Sequence, residues 1–230
     1  MKVVVDVIEL QSINKNEALR YLGYYDEQPT ENILSALSEC EQILLQTLKP
    51  RYIYRCFELA KVENDKISLK DCDLILSGTS ISKHLYYCEK AVLMCATLSY
   101  ETDRLINKSQ VEDLAKAVMI DSLASAAIEQ VCDQIEDEIR EEFSEYSLTY
   151  RFSPGYGDLP LGSERDLLAV MDAQRKIGLC ITDGDMLSPT KSVTAIIGLT
   201  KSKPKEFDFC EECMIKDTCE KRKRGEHCGL

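Results

Sequence analysis

The chain has 230 residues, 44% of them hydrophobic and 30% charged, and its 40 Asp and Glu outweigh 28 Lys and Arg for a formal net charge of −12. That length supplies one sizeable core with small additions at its ends. The acidic balance excludes a broad nucleic-acid surface, which needs clustered basic side chains; the dense basic run at 221–224 would suit an acidic protein partner instead.

Residues 1–10 alternate apolar and acidic side chains (Val5, Asp6, Val7, Ile8, Glu9), which reads as a strand and not as the centre of a signal peptide. Asn14 caps a predicted helix over 14–22 closed by Gly23, and a second helix runs over about 31–48, between Pro29 and Pro50. Residues 51–59 alternate in the β manner, and 66–76 are further strand material. Thr79 or Ser80 caps a short helix through Tyr87, and 91–98 is an apolar run of buried-strand length. From 109 to 145 there is neither Gly nor Pro, and Ile128, Val131, Cys132, Ile135 and Ile139 recur at helical spacing, which predicts one long helix or two nearly continuous ones. Residues 147–152 read as a strand, 164–176 as a helix ended by Gly178, and 179–182 and 193–199 as two more strands. The order follows neither the alternation of a doubly wound sheet nor a fixed repeat, so the expected class is α+β: a twisted, largely antiparallel sheet with long helices. After Pro204 the chain turns polar and cysteine-rich, which divides it into a domain over 1–204 with a helical N-terminal part and a tail over 205–230.

No apolar stretch approaches the length of a membrane span. Eleven cysteines without a secretory signal point to a reducing compartment, with the cytoplasm as default. Cys40, Cys56, Cys72, Cys88, Cys95, Cys132 and Cys180 lie in apolar segments and read as core, and His84 as a helix residue. In the tail, Cys210, Cys213, Cys219 and Cys228, with His227 beside the last, form CxxC followed by gaps of five and eight. Four thiolates so placed suit tetrahedral zinc or an iron–sulfur cluster; a reduced tail without metal is the alternative.

The run RFSPGYGDLP, 151–160, is built to hold a shape. Proline fixes φ and glycine permits positive φ, so the backbone folds tightly and leaves its N–H and C=O groups to face a small ligand. Arg151 offers a planar fork of donors suited to a carboxylate. Tyr156 offers a ring face to a cation or an adenine, and Gly155 and Gly157, after Pro154, let ligand atoms approach the main chain. The run is no Rossmann fingerprint, because Pro160 follows and the third glycine spacing is wrong. Upstream, Ser125, Glu129 and Asp133 share one face of the predicted helix beside its apolar stripe. With two histidines in the chain, no Ser/His/Asp or Cys/His constellation is evident.

The pattern RxxxGY, read as Arg151, Gly155 and Tyr156, and the helix 122–140 (SLASAAIEQVCDQIEDEIR) resemble the S-adenosylmethionine-binding activation domain of cobalamin-dependent methionine synthase. The likeness covers roughly 116–199; the segment ALRYLGY, 18–24, and the cysteine-bearing end are similar to short free-standing relatives of that domain. The resemblance implies that Glu129, Arg151, Pro154, Gly155, Tyr156 and Gly157 bind S-adenosylmethionine, with Glu129 facing its ammonium or sulfonium group. A second acidic ligand residue of the family, just before the arginine, has no counterpart in 146–150. The implied function is a stand-alone reactivation protein, in which one electron and a methyl group from S-adenosylmethionine regenerate methylcobalamin from cob(II)alamin. The cobalamin would be carried by a partner, the cobalamin-binding domain of a methionine synthase or a related corrinoid protein. An electron donor protein, or an iron–sulfur cluster in the tail, would supply the electron. Two alternatives stand beside this: a non-catalytic S-adenosylmethionine-sensing or corrinoid-scaffold module with a metal-binding tail, and a small metal-dependent interaction protein whose loop is only structural.

Overall fold

The computed structural model describes residues 3–25, 27–63, 65–202, 217–218 and 220–223. In chain order its first elements are β1 (Val3–Val7), α1 (Lys15–Tyr21), α2 (Glu31–Thr47), β2 (Arg51–Glu63), β3 (Lys66–Leu69), β4 (Ile75–Ser77), α3 (Thr79–Leu85) and β5 (Lys90–Thr97). There follow α4 (Tyr100–Glu112), α5 (Leu114–Glu142), β6 (Ser147–Leu148), α6 (Ser163–Met171), α7 (Ala173–Ile177), β7 (Cys180–Ile181), β8 (Leu187–Ser188), β9 (Ser192–Thr200) and α8 (Glu220–Lys223).

The main sheet runs β4-β3-β2-β5-β9-β6, with β1 also on β2, and every pairing among the described strands is antiparallel. The two-residue period of a strand then sorts the side chains between two cores. Tyr52, Tyr54, Val92, Met94 and Ile197 meet the apolar stripe of α5 (Leu123, Ala127, Val131, Ile135, Ile139), joined by Leu37 and Leu44 of α2. Ile53, Phe57, Leu93, Cys95 and Ile196 face the other way, onto Ile81 and Leu85 of α3 and Leu167, Leu168 and Met171 of α6. The result is three layers with the sheet in the middle, and each fully buried Leu or Ile contributes about 1.5–3 kcal/mol.

Local signals set several boundaries as expected. Asn14 caps α1 by accepting from the Glu17 N–H at 3.1 Å, and α2 lies between the two prolines. The long helical run breaks at Asp113, whose side chain caps α5 by accepting from the Lys116 N–H, and the first piece begins earlier than the sequence indicated, at Tyr100. Other boundaries differ. β2 continues to Glu63, and the strand material over 66–76 is split by a turn with Asp71 at φ 56°. The helix expected over 164–176 is two, parted where Asp172 takes φ 54°. The strand expected over 147–152 is regular only over Ser147–Leu148. Cys40, Cys95 and Cys132 are buried and the other four scattered cysteines half-buried, all as free thiols. No helix among the described residues is long and apolar enough to cross a membrane. Cys210, Cys213, Cys219 and Cys228 lie outside the described residues.

Candidate functional site

The segment leaving β6 delivers the arginine. Leu148 pairs with Leu199, yet the next bridge is Phe152 to Ile196, so the register slips by one residue between them. Such a bulge re-aims side chains. Tyr150 and Phe152 go to the α3 side, where they pack around His84 with ring centroids 4.3 and 5.1 Å from it. Arg151 goes the opposite way, onto α5, where its side chain is only 13% exposed.

There the guanidinium meets three carboxylates: Glu129 at 2.9 Å, Asp133 at 2.9 Å and Glu136 at 3.0 Å. The helical repeat places them, since residues four and seven apart return to one face. Burial pushes the Glu129 and Glu136 carboxyls above the usual range, and the Arg151 charge pulls both back. The same stripe continues toward the helix start, where Lys191 pairs with Asp121 at 2.9 Å and donates to Ser125 Oγ at 2.8 Å. Glu136 and Lys191 were not singled out in the sequence; the seven-residue step from Glu129 is the signal that finds Glu136.

After Arg151 the loop closes on itself. The Tyr156 N–H donates to the Ser153 carbonyl at 3.0 Å, the Gly155 N–H to the Leu159 carbonyl at 2.9 Å, and the Ser153 hydroxyl to the Thr194 carbonyl at 2.8 Å. For the Gly155 and Tyr156 N–H groups this corrects the expectation that the loop's backbone faces a ligand, since both are used within the loop. Gly157 has φ 53°, and a Cβ there would collide with the Ser80 side chain. The next residue, Asp158, accepts from the Thr79 N–H at 2.7 Å and the Ser80 N–H at 2.8 Å, so α3 is capped from 79 residues away and not by Thr79 or Ser80. Those N–H bonds hold the Asp158 carboxyl below its ordinary value. His84 on α3 is 7% exposed, its Nε2 is 2.9 Å from Thr149 Oγ1, and burial lowers its pKa to about 4.

The loop, α5 and the start of β9 enclose a cleft of about 330 Å³, within the range of small-ligand sites. Glu129, Arg151, Pro154 and Tyr156 of the sequence-derived set line it, as do Glu164, Met186 and Thr194. Gly155 and Gly157 shape the loop behind that wall. Tyr156 packs edge-on to Phe152 and is 37% exposed, which leaves ring area toward the cleft. The cleft thus brings together a fork of donors with an acid paired to it, an aromatic face, two further acids (Glu164 and Asp185) and the hydroxyls of Ser153, Thr190, Ser192 and Thr194. Among the described residues, no group of three or more His, Cys, Asp and Glu is placed to hold a metal ion.

No family model matches the sequence, and no curated protein does. Among solved structures, the chain is similar to a crystal structure of the MetH reactivation domain bound to AdoHcy, with a TM-score of 0.70 and 14% identity over 98% of this chain and 86% of that one. At that identity the likeness is one of fold: the chain has the mixed helix and antiparallel-sheet fold of the MetH reactivation domain.

Proposed function

We propose that the cleft binds S-adenosylmethionine and that the chain is a stand-alone reactivation protein for a cobalamin-dependent methionine synthase or a related corrinoid protein, serving reductive methylation of cob(II)alamin. The observation that carries this reading is the placement of Arg151, Glu129 and Tyr156 around one cleft in the fold of a domain whose solved structure holds AdoHcy. The residues fit the ligand. Arg151 matches a carboxylate in its two-donor geometry, and Glu129 matches the ammonium beside it. Three acids around one guanidinium leave a negative excess, which favours a ligand of net positive charge; its carboxylate would take the place of one acid on Arg151 while the displaced acid turns to the ligand's cation. The loop's internal hydrogen bonds and the Asp158 anchor hold Tyr156 in position before the ligand arrives, which lowers the ordering cost of binding. When bound, S-adenosylmethionine supplies the methyl group, and the cobalt of a partner's cobalamin receives it. In this reading Cys210, Cys213, Cys219 and Cys228 hold zinc or an iron–sulfur cluster, and a redox-silent zinc tail would leave the electron to a separate donor protein.

One observation favours a second reading. Arg151 is already paired with three acids, as a structural arginine would be, which suits a non-catalytic sensing or corrinoid-scaffold module. Assay of cob(II)alamin methylation with a methionine synthase cobalamin domain, S-adenosylmethionine and a chemical reductant separates the two. Methyl transfer dependent on this chain supports the first; binding without transfer supports the second.

A further inference from the structure

Two acids of the cleft lie outside the Arg151 cage, Asp185, which is paired with Arg165, and Glu164, which has no ion pair among the described residues. Glu164, in the first turn of α6, is 4% exposed and lines the cleft with Glu129, Arg151 and Tyr156. Its polar neighbour is the Thr194 hydroxyl, and its Oε1 is buried with no hydrogen-bond partner among the described residues. A native interior rarely leaves a carboxyl oxygen so, because a buried acid without partners is costly to keep and costlier to ionise. Cys95 on β5 is close enough that Glu164 helps push its thiol up, and the other ionisable groups that line the cleft are Glu129, Arg151 and Asp185. None of these offers it a free cation: Arg151 is held by three acids, and Asp185 is paired with Arg165. Burial accordingly raises the Glu164 pKa, and Thr194 opposes this only in part.

The charges of the proposed ligand supply the missing partner. Arg151 and Glu129 answer the carboxylate and ammonium that S-adenosylmethionine and its demethylated thioether share, which leaves the sulfonium charge without an acid of its own. We propose that Glu164 reads that third charge: its carboxylate is formed when a cationic sulfonium occupies the cleft and returns to the neutral acid when the uncharged thioether does. On arrival of the cation the carboxyl proton leaves to solvent, and after loss of the methyl group a proton returns, so the product forfeits an attraction that the methyl donor had. This inference rests on the reading that S-adenosyl compounds bind in the cleft.

The test is calorimetric titration of wild-type protein and the near-isosteric Glu164→Gln variant with S-adenosylmethionine and with AdoHcy, each in two buffers of different ionisation enthalpy. The expected result is about a tenfold loss of affinity for the sulfonium in the variant, with AdoHcy within about twofold of wild type. Wild type should also release more protons with the sulfonium than with AdoHcy, and the variant should not. Equal losses for both compounds, no loss for either, or equal proton release in wild type would overturn the proposal. Should the variant not fold, the wild-type proton difference alone decides. If both compounds bind wild type without this discrimination, only the role of Glu164 falls; if neither binds, the functional reading falls with it.

Discussion

Arg151 brings one positive charge to Glu129, Asp133 and Glu136, and its removal would leave three acids facing one another on α5. Arg151→Ala is therefore expected to cost about 1–2 kcal/mol at neutral pH, less than a fully buried pair because Asp133 is 67% exposed. In urea titrations that cost should shrink toward acid pH, where Glu129 and Glu136, already raised by burial, protonate first. The contribution of His84 is likewise lost toward acid pH. Its pKa is about 4 when folded, against an ordinary 6.5, so between these values the native state binds fewer protons than the unfolded chain. Its contribution is full above the unfolded value and is lost as pH falls through that window, with a slope of at most about 1.4 kcal/mol per pH unit. Unfolding of His84→Phe beside wild type across the window checks this: the variant's stability should fall less steeply toward acid, and parallel curves would remove His84 as the cause.

At the scale of elements, the loop after β6 and the helix α3 are one unit, joined by Asp158 and by the contact of Gly157 with Ser80. Gly157→Ala is expected to cost roughly 1–3 kcal/mol, from the positive φ and from the collision. Adding Ser80→Gly should recover the steric share and leave the backbone share, read as two midpoints in thermal unfolding. This unit also marks the limit of what the sequence displays. Asn14, Pro29, Pro50 and the spacing of Ile128 to Ile139 are local signals, and α1, α2 and α5 lie where those signals put them. The start of α3 depends on an acid 79 residues away, and the break of the 147–152 strand on its register against β9, so neither is visible locally. That Glu129 and Asp133 share one face of α5 was legible from the helical repeat; that Arg151 packs on that face was not, because it depends on the register of the segment after β6. Glu164 was not, because an acid in a first helical turn is ordinary until tertiary packing buries it.

The whole molecule places a sheet between two helical layers and opens its ligand-sized cleft where the β6 loop, α5 and β9 converge. Loop, helix and strand are each tied to the core, so the cleft is held on rigid elements with the Tyr156 and Met186 side chains, 37% and 65% exposed, at its wall. Under the proposed function, a cleft so exposed suits methyl transfer to a second protein that must reach the bound ligand. The central claim is that this cleft takes S-adenosylmethionine through Arg151. Calorimetric titration of the anaerobically purified wild-type protein with S-adenosylmethionine, beside Arg151→Lys, tests it most directly. The account predicts saturable one-site binding by wild type, and at least about tenfold weaker binding by the variant, which keeps the charge and loses the fork. Absence of binding by folded wild-type protein would contradict it, as would undiminished affinity in the variant.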